Sequence, residues 1–200
     1  MIKAICFDLD GVYFTSAGFS TFKENLAKLG VDQTAIDYIL HQEPMRKFKK
    51  GKIDEGIFWQ NAIEYWKIDK SPQEIIDLLS QGYEIDPQIH SILEKVKAPG
   101  YKTCICSNNF VTRINQLEAK FNFLKDFDVA VFSYEVGVLK PDKRIFEELI
   151  KRAQVKPEEI IYSDDSEEKL AGALELDIQA FVYENFEQFQ NKLIELGVQI

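Results

Sequence analysis

Five short apolar runs recur along this chain, and their spacing constrains the fold more than any other feature. They are Ile2 to Phe7, Lys102 to Cys106, Asp128 to Phe132, Ile160 to Ser163 and Ile178 to Val182. Stretches of this length, nearly continuous in apolar residues, read as strands buried on both faces, as in a parallel sheet. Amphipathic patterns of about 11 to 14 residues lie between the later runs and supply the crossover helices such a sheet needs. The expected fold class is α/β, a three-layer Rossmann-like core with helices on both faces of a parallel sheet of five or so strands. Punctuation agrees with this. Asp86-Pro87 offers an N-cap and a first-turn proline, and Asp142 after Pro141 is another cap candidate.

The stretch from about Thr15 to Tyr83 breaks the alternation. It has no strand pattern and reads as three or four amphipathic helices. The first, near Phe19 to Leu29, is stopped by Gly30, a residue suited to a left-handed terminator. A second is expected from about Thr34 to Gln42, ending before Pro44. A third begins near Asp54 after a turn at Gly51, and a fourth opens on the capping box Ser71-Pro72-Gln73-Glu74. The expected organisation is a core of residues 1–14 and 84–200 carrying an inserted α-helical cap, residues 15–83.

Four polar pieces fall at predicted strand ends or just beyond them: Asp8-Leu9-Asp10-Gly11-Val12, Ser107-Asn108-Asn109, Lys140-Pro141-Asp142 and Asp164-Asp165-Ser166. Loops at the carboxyl ends of parallel strands gather at one edge of the sheet, where ligands bind. Carboxylates, a hydroxyl, an amide and one ammonium around a shared crevice suit phosphoryl transfer through an aspartyl-phosphate with magnesium. Charge narrows the ligand class. With 24 Lys and Arg against 33 Asp and Glu the net charge is −9, which disfavours nonspecific binding to nucleic acid. A phosphate-bearing ligand therefore needs a local cation, either a metal or a well-placed lysine. Three cysteines argue against a disulfide framework, and Cys6, Cys104 and Cys106 are expected to be reduced and buried. The N-terminal apolar stretch is broken by Asp8, unlike a signal peptide, and no run approaches the roughly 18 apolar residues of a membrane span. A cytoplasmic protein without a membrane partner is expected.

With these pieces in this order, the chain resembles the haloacid dehalogenase-like superfamily, in its phosphatase branch with a helical cap inserted after the first motif. The run Gly137-Val138-Leu139-Lys140-Pro141-Asp142, with Phe146 beyond it, is itself typical of that family. The resemblance implies that Asp8 is the nucleophile and Asp10 the general acid and base. It implies Mg²⁺ as cofactor, held by Asp8, the Asp10 backbone carbonyl and Asp165, with Asp164 contributing directly or through water. Ser107, Asn108 and Lys140 would bind the phosphoryl group. Asp10 disfavours dehalogenation, because the family's dehalogenases lack an acid at that position. One departure stands out: many relatives place Asp or Asn four residues after the second acid of the last motif, where this chain has Lys169. The implied activity is Mg²⁺-dependent hydrolysis of a small phosphorylated metabolite, a sugar phosphate being favoured. A phosphosugar mutase and a non-catalytic binding member of the same fold remain as alternatives, and the oligomeric state is open.

Each piece also has a plainer reading. Asp8 to Gly11 could be a polar turn, Asp164 to Ser166 a helix cap, Ser107 to Asn109 a capped turn, and Lys140 a surface charge. The basic cluster Arg46, Lys47, Lys49, Lys50 and Lys52 is expected as a solvated helix face rather than a crevice wall. Phe48, Phe58, Trp59, Tyr65 and Trp66 are expected in the core of the helical block, with one or two of them as candidates to line the pocket, and neither His41 nor His90 has an assigned role.

Overall fold

The computed structural model describes residues 1–15 and 17–200. Five strands, β1 (Ala4–Phe7), β2 (Lys102–Ser107), β3 (Val129–Phe132), β4 (Ile160–Asp164) and β5 (Gln179–Val182), form one sheet in the order β3-β2-β1-β4-β5. All pairings are parallel. Alternation along the strands divides the core into two layers. Ile5, Phe7, Ile105 and Ile161 face one cluster, whereas Ala4, Cys6, Cys104, Cys106 and Tyr162 face the other. The first layer is covered by α6 (Pro87–Lys97), α7 (Val111–Phe121) and α11 (Phe186–Glu195), which bury Ile89, Ile114 and Phe189 there. The short α8 (Ser133–Val136) follows β3, and the second layer is covered by α9 (Lys143–Ala153) and α10 (Ala171–Leu174), which bury Phe146 and Ala173. This is the expected three-layer arrangement. All three cysteines are free and buried in it, and burial pushes the thiols of Cys104 and Cys106 up to about 12.

The helix signals in the sequence act as read. Asp86 caps α6 by accepting from the backbone N–H of Gln88 and Ile89, and Asp142 caps α9 through Arg144. Between β1 and α6 lie α1 (Ala17–Lys28), α2 (Gln33–His41), α3 (Glu43–Lys49), α4 (Glu55–Trp66) and α5 (Pro72–Ile76). Asp54 caps α4, and Ser71 and Glu74 complete the capping box of α5.

α3 corrects the sequence reading. Pro44 does not only close α2; it also opens a further helix, sitting in the first turn after an extended Gln42. A proline there gives up an N–H that has no intrahelical partner anyway, so the same residue ends one helix and begins the next. α3 carries Arg46, Lys47 and Lys49.

These helices bury Phe22, Leu26, Phe48, Phe58, Trp59 and Trp66 in a cluster of their own. Tyr65 is not among them. It is about half exposed and stacks on Tyr38 at 4.9 Å. Specific polar contacts lock the helices over the sheet edge. Trp59 Nε1 donates to Thr112 Oγ1 (3.1 Å), Thr112 donates to Glu55 (2.9 Å), and Ser133 Oγ donates to the Lys49 carbonyl (2.6 Å). Phe110 leaves the sheet edge and packs into the helical cluster.

Candidate active site

Strand order alone predicts where the site lies. The chain steps from β1 outward to β2 and β3, then crosses back to β4 on the other side of β1, so the order reverses between β1 and β4. Such a reversal opens a crevice at the carboxyl ends of the two strands. Asp8 follows β1 directly and its N–H continues the ladder to the Ser163 carbonyl (3.0 Å); Asp164 ends β4. Between them, reaching in from the loop before α9, is Lys140.

Lys140 is buried and fully engaged. Its Nζ lies 3.0 Å from Asp8 Oδ1 and 2.6 Å from Asp164 Oδ2, and donates to the Cys106 carbonyl (2.9 Å) and to Tyr162 Oη (2.8 Å). Burial alone would lower its pKa, but Asp8 and Asp164 outweigh that and raise it. Burial likewise pushes the Asp164 carboxyl up, yet Lys140 and Lys169 prevail and hold it well below the usual carboxylate range. Tyr162 stays protonated, because burial and the charges of Asp8 and Asp164 push its pKa far up, and it donates to Asp164. Lys140 is therefore no surface charge. Strand alternation carries the signal for Tyr162: two residues before Asp164, it shares its face of β4.

Asp10 sits in the tight turn after Asp8. Gly11 adopts φ +76°, and a Cβ there would lie 2.5 Å from Asp165 Oδ2, so a glycine lets the first and last loops touch. The Asp10 carboxylate is held by Arg113, whose Nη2 lies 2.6 Å from Oδ2. Arg113 is buried on α7, donating also to Asn109 Oδ1 (2.8 Å) and Tyr83 Oη (2.9 Å), with its guanidinium over Phe19 and Phe110. Burial opposes its charge, but Asp10 and Tyr83 outweigh that and raise its pKa. Sequence reasoning missed Arg113. Its faint signal is position, one turn after Asn109 and beside the buried Ile114 on the inward side of α7.

Ser107 is buried at the end of β2. Asn108 follows it, and its side chain clasps the Lys140 peptide: Oδ1 accepts from Lys140 N–H (2.8 Å), and Nδ2 donates to the Lys140 carbonyl (3.2 Å). That reciprocal pair ties the β2 loop to the lysine loop.

Asp8, Asp164 and Asp165 bring carboxylate oxygens within 4.8 Å of one another. This is the hard-oxygen donor set that magnesium prefers, so the residues fit the ion. The Asp10 carboxylate lies outside that trio. Burial outweighs the nearby Lys169 and raises the Asp165 carboxyl. Lys169 Nζ stands 3.0 Å from Asp164 Oδ1, 3.0 Å from Asp165 Oδ1 and 3.5 Å from Asp8 Oδ2.

The helical block forms the opposite wall. A cavity of about 220 Å³ is lined by Asp8, Asp10, Asn108 and Lys169 from the sheet side, and by His41, Arg46 and Lys49 among others from α2 and α3. An adjoining cavity of about 700 Å³ adds Lys50, Lys52, Lys140 and Arg144. The basic cluster is both solvated and crevice-lining: Arg46, Lys47 and Lys52 are exposed as expected, yet Arg46, Lys49, Lys50 and Lys52 also line the crevice, while Lys47 turns to an apolar groove beside Tyr38 and Tyr65. Lys49 is drawn in from solvent, and burial with the nearby Arg113 lowers its pKa to about 8.

A family model described as haloacid dehalogenase-like hydrolase matches residues 2–177. The chain is 30% identical to an uncharacterised protein of Dictyostelium discoideum, over 94% of this chain and 96% of that one. It is 26% identical to a glyceraldehyde 3-phosphate phosphatase of Methanothermobacter thermautotrophicus, over 91% of this chain and 85% of that one. Its fold is similar to that of a haloacid dehalogenase family enzyme from Bacteroides thetaiotaomicron, solved with magnesium and inorganic phosphate, with a TM-score of 0.80 and 24% identity. That match covers 92% of this chain and 95% of the other.

Proposed function

The chain belongs to the haloacid dehalogenase-like hydrolases, and from that premise we propose that it is a Mg²⁺-dependent phosphomonoesterase acting on a small phosphorylated metabolite, a sugar phosphate first among candidates. The observation that carries the reading is the position of Asp8. It is a buried carboxylate anchored by Lys140 that lines a crevice otherwise rich in cations. The phosphatase relative supports the reaction class.

The chain's own residues account for the steps. The Asp8 carboxylate attacks phosphorus, forming an acyl phosphate as the bond from phosphorus to the ester oxygen breaks. Asp10 gives its proton to the departing alkoxide, then takes one from a water that attacks the same phosphorus. The bond to Asp8 breaks, and free phosphate and the original carboxylate are restored. Arg113 fixes the orientation of Asp10 throughout. Lys140 offsets the negative charge that grows on the phosphoryl oxygens, and Ser107 with the backbone of Asn108 would hold those oxygens. Held by Asp8, the Asp10 carbonyl and Asp165, with Asp164 directly or through water, magnesium would screen the phosphoryl charge from the carboxylates. Helices α1 to α5, within the segment assigned as a cap (residues 15–83), would keep bulk water from the crevice. A cytoplasmic setting suits a metabolite substrate; among the described residues no helix is long and apolar enough to cross a membrane.

The test is phosphate release from p-nitrophenyl phosphate and a panel of sugar phosphates, with Mg²⁺ and with EDTA. Metal-dependent release supports the reading. Release that EDTA leaves unchanged contradicts the metal requirement, and no release from any substrate contradicts the phosphatase assignment.

Lys49 gives the reaction an alkaline limit of its own. With a pKa of about 8, it is charged at neutral pH and loses that charge as pH rises, weakening attraction for an anionic substrate. The value of kcat/KM is expected to fall as pH passes through about 8, chiefly through KM. Lys49→Arg should remove this limb, because arginine stays charged. Lys49→Met should raise KM at neutral pH by roughly tenfold, about 1.4 kcal/mol of binding. A limb that persists unchanged in Lys49→Arg would assign it to another group.

A further inference from the structure

Two ammonium groups share the same carboxylates in this site, and they are not equivalent. Asp8 gives Oδ1 to Lys140 and turns Oδ2 toward Lys169; Asp164 gives Oδ2 to Lys140 and Oδ1 to Lys169. Lys140 is fully enclosed and has two further partners outside the acids, the Cys106 carbonyl and Tyr162 Oη. It cannot leave without breaking the core. Among the described residues the Lys169 ammonium bonds only to carboxylates, and a quarter of its side chain is exposed. Its backbone belongs to a single 3-10 turn, Glu167–Lys169.

The place where Lys169 Nζ stands matters more than its bonds. Three carboxylate oxygens within 4.8 Å of one another enclose little space, and an ammonium within 3.5 Å of an oxygen from each acid fills it. A divalent ion would take the same ground. The two cannot share it, since like charges at such separation repel strongly wherever water is scarce. We infer that Lys169 is a built-in counter-ion of the metal nest: it holds Asp8, Asp164 and Asp165 together before the metal arrives and is expelled as Mg²⁺ enters, so this one side chain sets the protein's metal affinity. The inference rests on the metal-dependent reading above for the identity of the incoming ion.

Each half of that exchange has a physical basis. Without a cation, three converging carboxylates would repel one another, and Lys169 relieves this in the metal-free protein. When expelled, the flexible four-carbon stem has somewhere to go. Lys169 already lines both crevice cavities, beside Asp10 and Asn108 in one and beside Asn108 and Arg144 in the other. A lysine turned into that crevice adds positive charge where a phosphate would lie.

The test is calorimetric titration of Mg²⁺ into the EDTA-stripped wild type, Lys169→Asn and Lys169→Met, with thermal unfolding of each protein measured with and without the metal. Asn can offer an oxygen to the ion and Met cannot, so a gain common to both comes from the lost ammonium. Both variants are expected to bind Mg²⁺ about tenfold or more tightly than wild type, by removal of a competing charge. Without metal they should unfold at lower temperature than wild type, and saturating Mg²⁺ should close that gap. Mg²⁺ affinities in both variants equal to or weaker than wild type would overturn the inference. A metal-free stability equal to wild type would overturn the counter-ion role as well. Absence of Mg²⁺ binding by all three proteins would sink the displacement too, whereas turnover in EDTA would separately decide whether the phosphatase reading survives.

Discussion

Asp8→Asn should reduce phosphate release by about 10⁴-fold or more while leaving the fold in place, because an amide cannot attack phosphorus and single losses within a concerted set of catalytic groups are this severe. The structure explains why folding should be spared. Lys140 keeps Asp164, Tyr162 and the Cys106 carbonyl as partners when the charge of Asp8 is removed. Asn is also nearly the size of Asp, so the buried turn after β1 gains no cavity. Steady-state release from p-nitrophenyl phosphate and an unfolding curve, measured on one preparation, check both halves. A variant that folds as wild type does and retains a tenth of its activity would remove Asp8 from the chemistry.

Lys140→Met carries the second large effect, and here stability and activity fall together. The substitution removes the enclosed ammonium between Asp8 and Asp164, both buried, and leaves them only the partly exposed Lys169 on their other oxygens among the described residues. Stranding buried charge in this way costs about 3–5 kcal/mol. For a domain of this size that corresponds to a Tm lower by roughly 6–20 °C. On the proposed mechanism, loss of the charge that offsets the phosphoryl oxygens should remove a further factor of about 10² to 10³ from kcat.

The pH dependence has a definite sign. In the wild type Asp164 is depressed well below the ordinary carboxylate range, so its contribution to stability is present above the unfolded pKa and fades as pH falls through the folded one. In the variant Lys169 alone is left to oppose burial, the folded pKa rises, and the penalty is relieved as pH falls. The stability deficit of Lys140→Met should therefore shrink as pH falls from neutrality toward the unfolded carboxylate pKa. A deficit that grows on acidification would contradict the pairing.

Much of this architecture was legible from sequence because its determinants are local. Each strand announces itself as an apolar run, and each functional loop as a polar break at or just beyond the end of one. Asp54, Ser71, Asp86 and Asp142 cap helices by contacts spanning two or three residues. Once the strands are parallel, the loops holding Asp8, Ser107, Lys140 and Asp164 must meet at one edge.

What escaped the sequence depends on distance or direction. Arg113 reaches Asp10 across 103 residues, and nothing near Arg113 encodes that partner. Lys169 is visible as a departure from the family pattern, but a sequence does not say that its ammonium points back into the acids. The orientation of Arg46, Lys49, Lys50 and Lys52 depends on α3, which Pro44 hides by marking the end of one helix and the start of another. A run of basic residues on an acidic chain reads as a solvated face until the opposite wall is in place. Tyr65 was misplaced for the same reason, since helical periodicity fixes a face and not which faces find a partner.

On the proposed mechanism Asp8 becomes phosphorylated and Asp10 completes the cycle. This is tested most directly by intact-mass and peptide mass spectrometry of Asp10→Asn mixed with p-nitrophenyl phosphate and Mg²⁺. The nitrophenolate leaves without needing a proton, so loading of Asp8 should proceed. Activation of water does need the Asp10 carboxylate, so the acyl phosphate should accumulate. A gain of one phosphoryl group is expected, located on Asp8 and absent from the double variant with Asp8→Asn. Turnover with no covalent phosphate, or phosphate located on another residue, would contradict it.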